Sequence, residues 1–103
     1  MITKGNPGIT FISPRYENSI DDELFFLAEF EDKNSDLVKV LTMLNIDFKD
    51  VTAQAQINYS SNRKGEITYK FPKALKPELH SAILSVANKS GGTSNKVWEF
   101  IVR

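Results

Sequence analysis

The segment that decides the fold stands at the end of the chain and reads Lys96-Val97-Trp98-Glu99-Phe100-Ile101-Val102. Trp98, Phe100 and Val102 occupy every second position, and a β-strand turns alternate side chains to the same face. This spacing predicts a strand with one face in a hydrophobic core. Two earlier segments repeat it, with Val38, Val40, Thr42, Leu44 and Ile46 on one face of the first and Ile67, Tyr69 and Phe71 on one face of the second.

Polar, turn-forming segments separate the apolar ones at short and fairly regular intervals. These segments are residues 32–36, 58–65, 72–78 and 88–95. Regular turn signals between short apolar segments favour an all-β sandwich or barrel.

Local signals for helix compete with this interpretation at two places. Residues 19–22 resemble a helix-capping box, and residues 23–32 contain good helix formers. Pro77 could begin a helix in which apolar residues recur at helical spacing, with Gly91 and Gly92 as the stop. Local signals alone therefore predict a helix over residues 77–89 and an α+β domain.

The composition is that of one soluble globular domain. The chain has 103 residues, and its 13 basic and 13 acidic side chains balance. A nucleic-acid partner is not expected, because no basic excess or stripe is present. The absence of cysteine excludes a disulfide framework, a thiolate metal site and a cysteine nucleophile. No cofactor is expected.

A series of motifs runs along the chain from its start to its end. They are Gly8-Ile9-Thr10-Phe11-Ile12-Ser13-Pro14, Leu27-Ala28-Glu29-Phe30-Glu31-Asp32, Leu44-Asn45-Ile46-Asp47-Phe48-Lys49-Asp50-Val51-Thr52, Ile67-Thr68-Tyr69-Lys70-Phe71-Pro72, Leu79-His80-Ser81-Ala82-Ile83-Leu84-Ser85-Val86, Asn88-Lys89-Ser90-Gly91-Gly92-Thr93-Ser94 and the closing Trp98 segment. In this order and spacing they resemble the immunoglobulin-like (Ig-like) domains of bacterial secreted and surface proteins.

The resemblance implies an all-β fold, an Ig-like two-sheet antiparallel β-sandwich of about seven strands. It also overrides the local helix signals at residues 77–89. Residues 1–8 are expected to be a linker or lead-in, and residues 9–103 a single Ig-like domain. Phe48 stands where the resembled domains have a glycine in a tight turn. Because a positive φ would strain Phe, we expect a wider or differently shaped turn here.

Residues with possible chemistry have structural interpretations that fit better. His80 is the only histidine and lacks a companion nucleophile or second ligand, so it is expected to be structural. The acidic residues 21–23 show no calcium-loop spacing. Residues 90–93 lack the Gly-Lys-Ser/Thr ending of a phosphate loop. Trp98 is expected to lie in the core.

An excess of apolar residues is the most informative functional feature. When one face of the third, sixth and seventh strands points inward, the neighbouring residues on those strands point outward. A solvated antiparallel sheet should be polar there, and a contiguous apolar patch usually marks an interface. The outward set is Leu41, Met43, Ile83, Val97 and Ile101. The alternatives to an interface are that a loop covers this face or that the strand register differs by one residue. Two loop aromatics, Tyr16 and Phe48, are further candidates for ligand contact.

The function expected from these features is a non-catalytic structural or interaction module, used for spacing, docking or adhesion. By the resemblance it would belong to a larger exported protein, and its location would be extracellular, periplasmic or at the cell surface. Its partner would be a neighbouring domain, another protein or a second copy of itself, with no insertion into a membrane. The alternative is a carbohydrate-binding module beside a polysaccharide-degrading enzyme, which would need two or more coplanar exposed aromatics. An enzyme ranks third, because no residue spacing implies a catalytic cluster.

Overall fold

The computed structural model describes residues 5–72 and 74–103, and these residues form nine β-strands and two short 3-10 helices. The strands are β1 (Gly8–Ser13), β2 (Glu17–Asn18), β3 (Phe25–Glu31), β4 (Met43–Ile46), β5 (Lys49–Asp50), β6 (Gln56–Ser61), β7 (Lys64–Lys70), β8 (Leu79–Ala87) and β9 (Thr93–Val102). The 3-10 helices are η1 (Lys39–Leu41) and η2 (Thr52–Gln54).

Two sheets pack face to face. The four-stranded sheet has the order β1-β3-β7-β6, and the five-stranded sheet has the order β2-β9-β8-β4-β5. The prediction of an all-β two-sheet sandwich is confirmed, including the adjacency of the third, sixth and seventh long strands as β4, β8 and β9. Two details differ. The described chain has nine strands because β2 and β5, of two residues each, add to the longer ones, and β2 pairs with β9 in parallel.

The core lies between the sheets and takes large side chains from both. Phe26, Phe30 and Ile67 enter from the four-stranded sheet, while Leu44, Leu84 and Phe100 enter from the five-stranded sheet. Each of these side chains is 1% exposed or less. Burial of such side chains stabilises the fold by about 1.5–3 kcal/mol each before conformational entropy is subtracted.

The helix signals at residues 77–89 are wrong, because tertiary pairing decides their structure. Leu79–Ala87 forms β8, which pairs with β9 along nine residues from Leu79 opposite Ile101 to Ala87 opposite Thr93. Residues 80, 82, 84 and 86 are buried, and the odd-numbered residues between them are more exposed. A helix would break this alternation and leave the nine partners in β9 unpaired.

The capping-box pattern at residues 19–22 forms a turn instead of starting a helix. The Ser19 N–H donates to the Asp22 carboxylate at 2.8 Å, and the Asp22 N–H donates to the Ser19 carbonyl at 3.0 Å. The chain then enters β3, whose alternate side chains are buried. The polar contacts of a helix start are therefore satisfied without a helix.

The third apolar segment is only partly a strand. The prediction that Val40 shares an inward face with Thr42 and Leu44 is wrong, because Val40 lies in η1 and is 87% exposed. A 3-10 turn rotates successive side chains by about 120° rather than 180°. Strand alternation begins only at Met43, while Thr42 and Leu44 are buried as expected.

Candidate interaction surfaces

The outer face of the five-stranded sheet carries apolar side chains where a solvated sheet would be polar. Met43 on β4 and Val97 on β9 are 40% and 56% exposed, and Ile83 on β8 lies between their strands. Ile83 pairs directly with Val97, and Met43 pairs with Ser85, two residues further along β8. Met43, Ile83 and Val97 are therefore neighbours, and we call them the central patch.

A second apolar pair lies at the end of the same face. Ile101 on β9 pairs with Leu79 on β8, and Leu79 is 54% exposed. Leu79 is not among the predicted outward residues, although it lies on the same face of β8 as Ile83. Because Leu79 lies at the start of β8 and close to Pro77, the sequence did not indicate its outward position on the strand.

Leu41 differs from the other members of the predicted set. It lies in η1, before β4 begins, and is half-exposed beside the sheet rather than on a strand of it. Polar residues also divide the face, because Ser81, Ser85 and Glu99 occupy outward positions between the apolar ones. The assignment of this face as an interaction surface remains a prediction.

Phe48 lies at the tip of a two-residue hairpin turn between β4 and β5. Asp47 and Phe48 have φ values of 50° and 66°, and Ile46 pairs with Lys49. Positive φ at both central positions is typical of a type I′ turn. The expectation of a wider or differently shaped turn is therefore wrong. A bulky side chain is unfavourable at such a φ, yet Phe48 is 84% exposed and gains little packing in return.

Asp47 attaches this turn to the end of β8. Its N–H donates to the Ser81 carbonyl at 2.8 Å, and its carboxylate accepts from the Ser81 N–H at 3.0 Å. The other carboxylate oxygen lies 2.7 Å from Nδ1 of His80, and Nε2 of His80 lies 2.8 Å from the Lys76 carbonyl. We call Asp47 and His80 the hairpin anchor.

His80 is buried, and its two partners in this anchor determine its protonation state. Both ring nitrogens face oxygen acceptors, so only the doubly protonated imidazolium can donate to both. Burial favours the neutral ring. The hydrogen bonds to Lys76 and Asp47, with the charges of Asp47 and Glu78, outweigh burial and raise the pKa of His80 above 6.5.

Tyr16 lies at the opposite edge of the same sheet from Phe48. Its carbonyl accepts a hydrogen bond from the Ile101 N–H at 2.6 Å, and its side chain is half-exposed. Trp98 packs against the core as predicted, stacking on Phe11 at 5.5 Å between ring centroids. The Trp98 indole N–H donates to the Pro14 carbonyl at 2.8 Å, so its polar atom is also satisfied.

A buried polar pair holds the loops at the other end of the sandwich. The carboxylate of Asp32 accepts from the N–H groups of Asn34 and Ser35 and, at 2.7 Å, from the Asn88 amide. The Asn88 side-chain carbonyl accepts from the N–H groups of Ser90 and Gly92. We call Asp32 and Asn88 the loop anchor. Although burial alone would raise the pKa of Asp32, these hydrogen bonds and the nearby Arg63 charge lower it.

A groove of about 490 Å³ lies at the end of the sandwich near residue 71. Its lining mixes apolar side chains, among them Ile20, Phe25 and Phe71, with Asp22 and Lys70. The exposed aromatics of the described residues are Tyr16, Phe25 and Phe48, and no two of them pair with each other.

The described part of the chain contains neither a cluster of metal-binding side chains nor a helix long and apolar enough to span a membrane. No three histidine, cysteine, aspartate or glutamate side chains gather there in a way that could hold a metal ion. None of its helices has the length and hydropathy of a membrane span.

The fold is that of a two-sheet β-sandwich, and it is similar to the fold of a solved bacterial adhesin. That structure is a mutant of the SrpA adhesin from Streptococcus sanguinis, with a TM-score of 0.52 and 15% sequence identity. The likeness covers 99% of this chain and 57% of the adhesin chain. At this identity the likeness concerns the fold. No family model matches the sequence, and no curated protein matches it either.

Proposed function

We propose that this chain is a non-catalytic, Ig-like interaction module of a bacterial secreted or cell-surface protein. It docks onto protein through the outer face of the five-stranded sheet, with Tyr16 and Phe48 at the two edges of that face. Residues 9–103 constitute the module in this proposal, and residues 1–8, of which 1–4 lie outside the described residues, lead into it.

The central patch is the observation that carries the proposal. Ile83 lies directly opposite Val97 and diagonally across from Met43 on three neighbouring strands, so the three apolar side chains are grouped rather than scattered. Contiguous apolar surface that stays in contact with water is typical of protein interfaces, where its burial contributes about 25 cal/mol per Å² before the costs of association. The polar residues between them supply the hydrogen bonds that fix orientation in an interface.

The similarity to an adhesin supports the cellular context of the proposal. The similar fold belongs to a streptococcal protein named as an adhesin. An adhesion or docking role outside the cell or at its surface fits that context. The partner we propose is a protein surface, supplied by an adjoining domain or by another polypeptide.

Sugar binding has less support than docking. A carbohydrate platform needs coplanar exposed aromatic rings, and the three exposed aromatics of the described residues form no ring pair. The outer sheet face offers aliphatic side chains instead, which suit protein contact.

A site-specific crosslink tests the proposal. Val97 is replaced by a photo-crosslinking phenylalanine analogue in the native polypeptide, expressed in the cells that normally produce it. The crosslinked adducts are mapped by mass spectrometry. Thr10, an exposed residue of β1 on the other sheet, receives the same analogue as the matched control. We expect peptide adducts from position 97 but not from position 10.

A second variant separates docking from chance collision. The Met43→Lys, Ile83→Lys double substitution should abolish the position 97 adducts, because two ammonium groups cannot enter an apolar interface without a large desolvation cost. Equal adducts from positions 97 and 10, or adducts that persist in the double variant, would overturn the proposal.

A further inference from the structure

The two sheets have four edge strands, and these differ in how their free backbone is protected. Edges β2 and β5 have only two residues each. Beside β1, the Lys96 ammonium donates to the Ile9 carbonyl at 3.0 Å, and the Ser94 hydroxyl donates to the Pro7 carbonyl. Short strands and side chains over the backbone are the usual ways to prevent an edge from pairing with another strand.

The fourth edge, β6, has neither form of protection. It is six residues long and pairs only with β7. Within the described residues, no hydrogen bond joins the backbone of residues 56–61 to any group outside the β6–β7 hairpin. Because backbone groups of an antiparallel strand point alternately to its two sides, about half of those in β6 face outward without a protein partner.

The residues of β6 do not block pairing either. The strand reads Gln-Ile-Asn-Tyr-Ser-Ser and contains no charged residue and no proline. The protecting feature it has is a bulge between Tyr59 and Ser61, which leaves the ladder regular from Gln56 to Tyr59. A regular, uncharged edge is a template for strand addition.

We propose that β6 pairs in antiparallel with β6 of a second copy of this chain. The two four-stranded sheets then join into one sheet of eight strands, in a two-fold symmetric dimer centred on Asn58.

Self-complementarity favours a second copy over a foreign strand. A two-fold axis at Asn58 places Ile57 of each copy opposite Tyr59 of the other. Both side chains pack on the core but remain partly exposed at its margin. Each Ile57–Tyr59 pair across the dimer would therefore bury the exposed part of these two side chains. Aliphatic–aromatic cross-strand pairs are favourable, and the amides of Asn58 would meet each other on the outer face.

The charges near β6 are compatible with this pairing. Glu66 and Lys64 lie one strand away on β7. Across the dimer the two β7 strands would be three strand spacings apart, about 14 Å, which exceeds the screening length of about 8 Å at physiological salt. The Lys39 ammonium lies 4.8 Å from the centroid of the Tyr59 ring, where the ring face partly offsets its charge.

The solution mass of the chain tests the dimer, measured by light scattering over a roughly thousandfold range of concentration. We expect the mass to rise from one copy to two. Asn58→Lys alone and Asn58→Glu alone should each remain monomeric, because like charges would meet at the axis. An equal mixture of the two variants should recover the dimer.

Two control variants locate the contact. Thr10→Lys places the same charge on the protected edge β1 and should dimerise like the wild type. The Met43→Lys, Ile83→Lys variant should dimerise too, because its substitutions lie on the other sheet. A wild-type mass of one copy at every concentration would overturn the proposal, as would growth beyond two copies. Dimerisation of the Asn58→Lys variant alone would also overturn the proposal. So would loss of the dimer in Thr10→Lys or in the Met43→Lys, Ile83→Lys variant.

Discussion

The loop anchor and the hairpin anchor each hold a turn or loop in place at one end of the sandwich, but they do so by different chemistry. The loop anchor joins Asp32 to Asn88, which are 5% and 4% exposed, and every contact matches a donor to an acceptor at neutral pH. The hairpin anchor joins His80, whose side chain is 4% exposed, to Asp47, whose side chain is 44% exposed. It needs a proton on both ring nitrogens of His80. The loop anchor is therefore costly to break, because both of its side chains are buried. The strength of the hairpin anchor depends instead on the protonation of His80, and so on pH.

The largest expected effect is the loss of the donor in the loop anchor. Asn88→Asp would set a carboxylate against the Asp32 carboxylate at 2.7 Å and against the Gly5 carbonyl at 3.1 Å. We expect a loss of about 3 kcal/mol in the free energy of unfolding, measured by urea denaturation at pH 7.

The matched control for that substitution is Asn95→Asp on an exposed position of β9. It makes the same chemical change and should shift stability by less than about 0.5 kcal/mol. Equal effects at the two positions would show that Asn88 holds no buried pair.

A steric substitution in the same loop should have the second-largest effect. A Cβ on Gly92 would lie 2.5 Å from the Gly5 carbonyl oxygen and 2.8 Å from the Asn88 amide nitrogen. Since one of these contacts is with backbone, Gly92→Ala should cost about 2 kcal/mol by thermal or urea unfolding.

Gly91 separates steric from conformational cost in that loop. Its φ is 89°, but a Cβ there would meet no atom within 4 Å. Gly91→Ala should therefore cost about 1 kcal/mol, from backbone strain alone. A larger loss at Gly91 than at Gly92 would contradict the packing described for the loop anchor.

The hairpin anchor should make stability depend on pH. The pKa of His80 is raised in the folded chain above its ordinary value of 6.5. Its stabilising contribution is therefore complete below about pH 6.5 and is lost as the pH rises through the folded-state pKa. The urea midpoint of unfolding should fall as the pH rises from about 5.5 to 9. The assignment to His80 is direct, because the chain has a single histidine and no cysteine that could titrate in this range.

Asp47→Asn is the test of that assignment. It keeps the shape of the side chain but removes the charge that favours the imidazolium, so the decline should become shallower and shift to lower pH. An unchanged profile in this variant, or a wild-type stability that rises across the range, would exclude the Asp47–His80 pair as its source.

The smallest expected effect is a gain in stability at the hairpin tip. Phe48→Gly removes a bulky side chain from a φ of 66° while losing little packing. We expect the free energy of unfolding to rise by about 0.5 kcal/mol, because relief of the left-handed strain exceeds the added flexibility of the unfolded chain. Phe48→Ala keeps a Cβ and should not produce the gain. A loss of stability on Phe48→Gly would mean that the ring contributes packing.

Strand periodicity predicted strands around Trp98 and Tyr69, and only together with the family resemblance did it predict the sandwich and the outward residues of its five-stranded sheet. Alternation around Trp98 placed Val97 outward, and the strand that the resemblance implied around Ala82 and Leu84 placed Ile83 outward. The local signals at residues 77–89 favoured a helix because Leu79, Ala82 and Val86 fit either period. The resemblance resolved that ambiguity, and nine residue pairs with β9 explain it physically.

Other features could not be read from the sequence. Val40 follows the strand pattern, yet η1 turns it to solvent. The anchor between Asp47 and His80 joins residues 33 positions apart, and a turn with Phe at positive φ contradicts residue preferences. The openness of β6 depends on which strands happen to cover it, which is a property of the topology rather than of its own residues.

The route of the chain through the sandwich has a mechanical consequence. Gly5 contacts the Asn88 loop at one end, and Arg103 donates its N–H to the Asn18 carbonyl at the other. The domain measures 50 Å along its longest axis and 23 Å across. Tension between those two points would run along the strands and load their ladders in shear, the direction in which many hydrogen bonds must break together. A polypeptide that contains this domain would therefore have a stiff segment about 50 Å long rather than a flexible one.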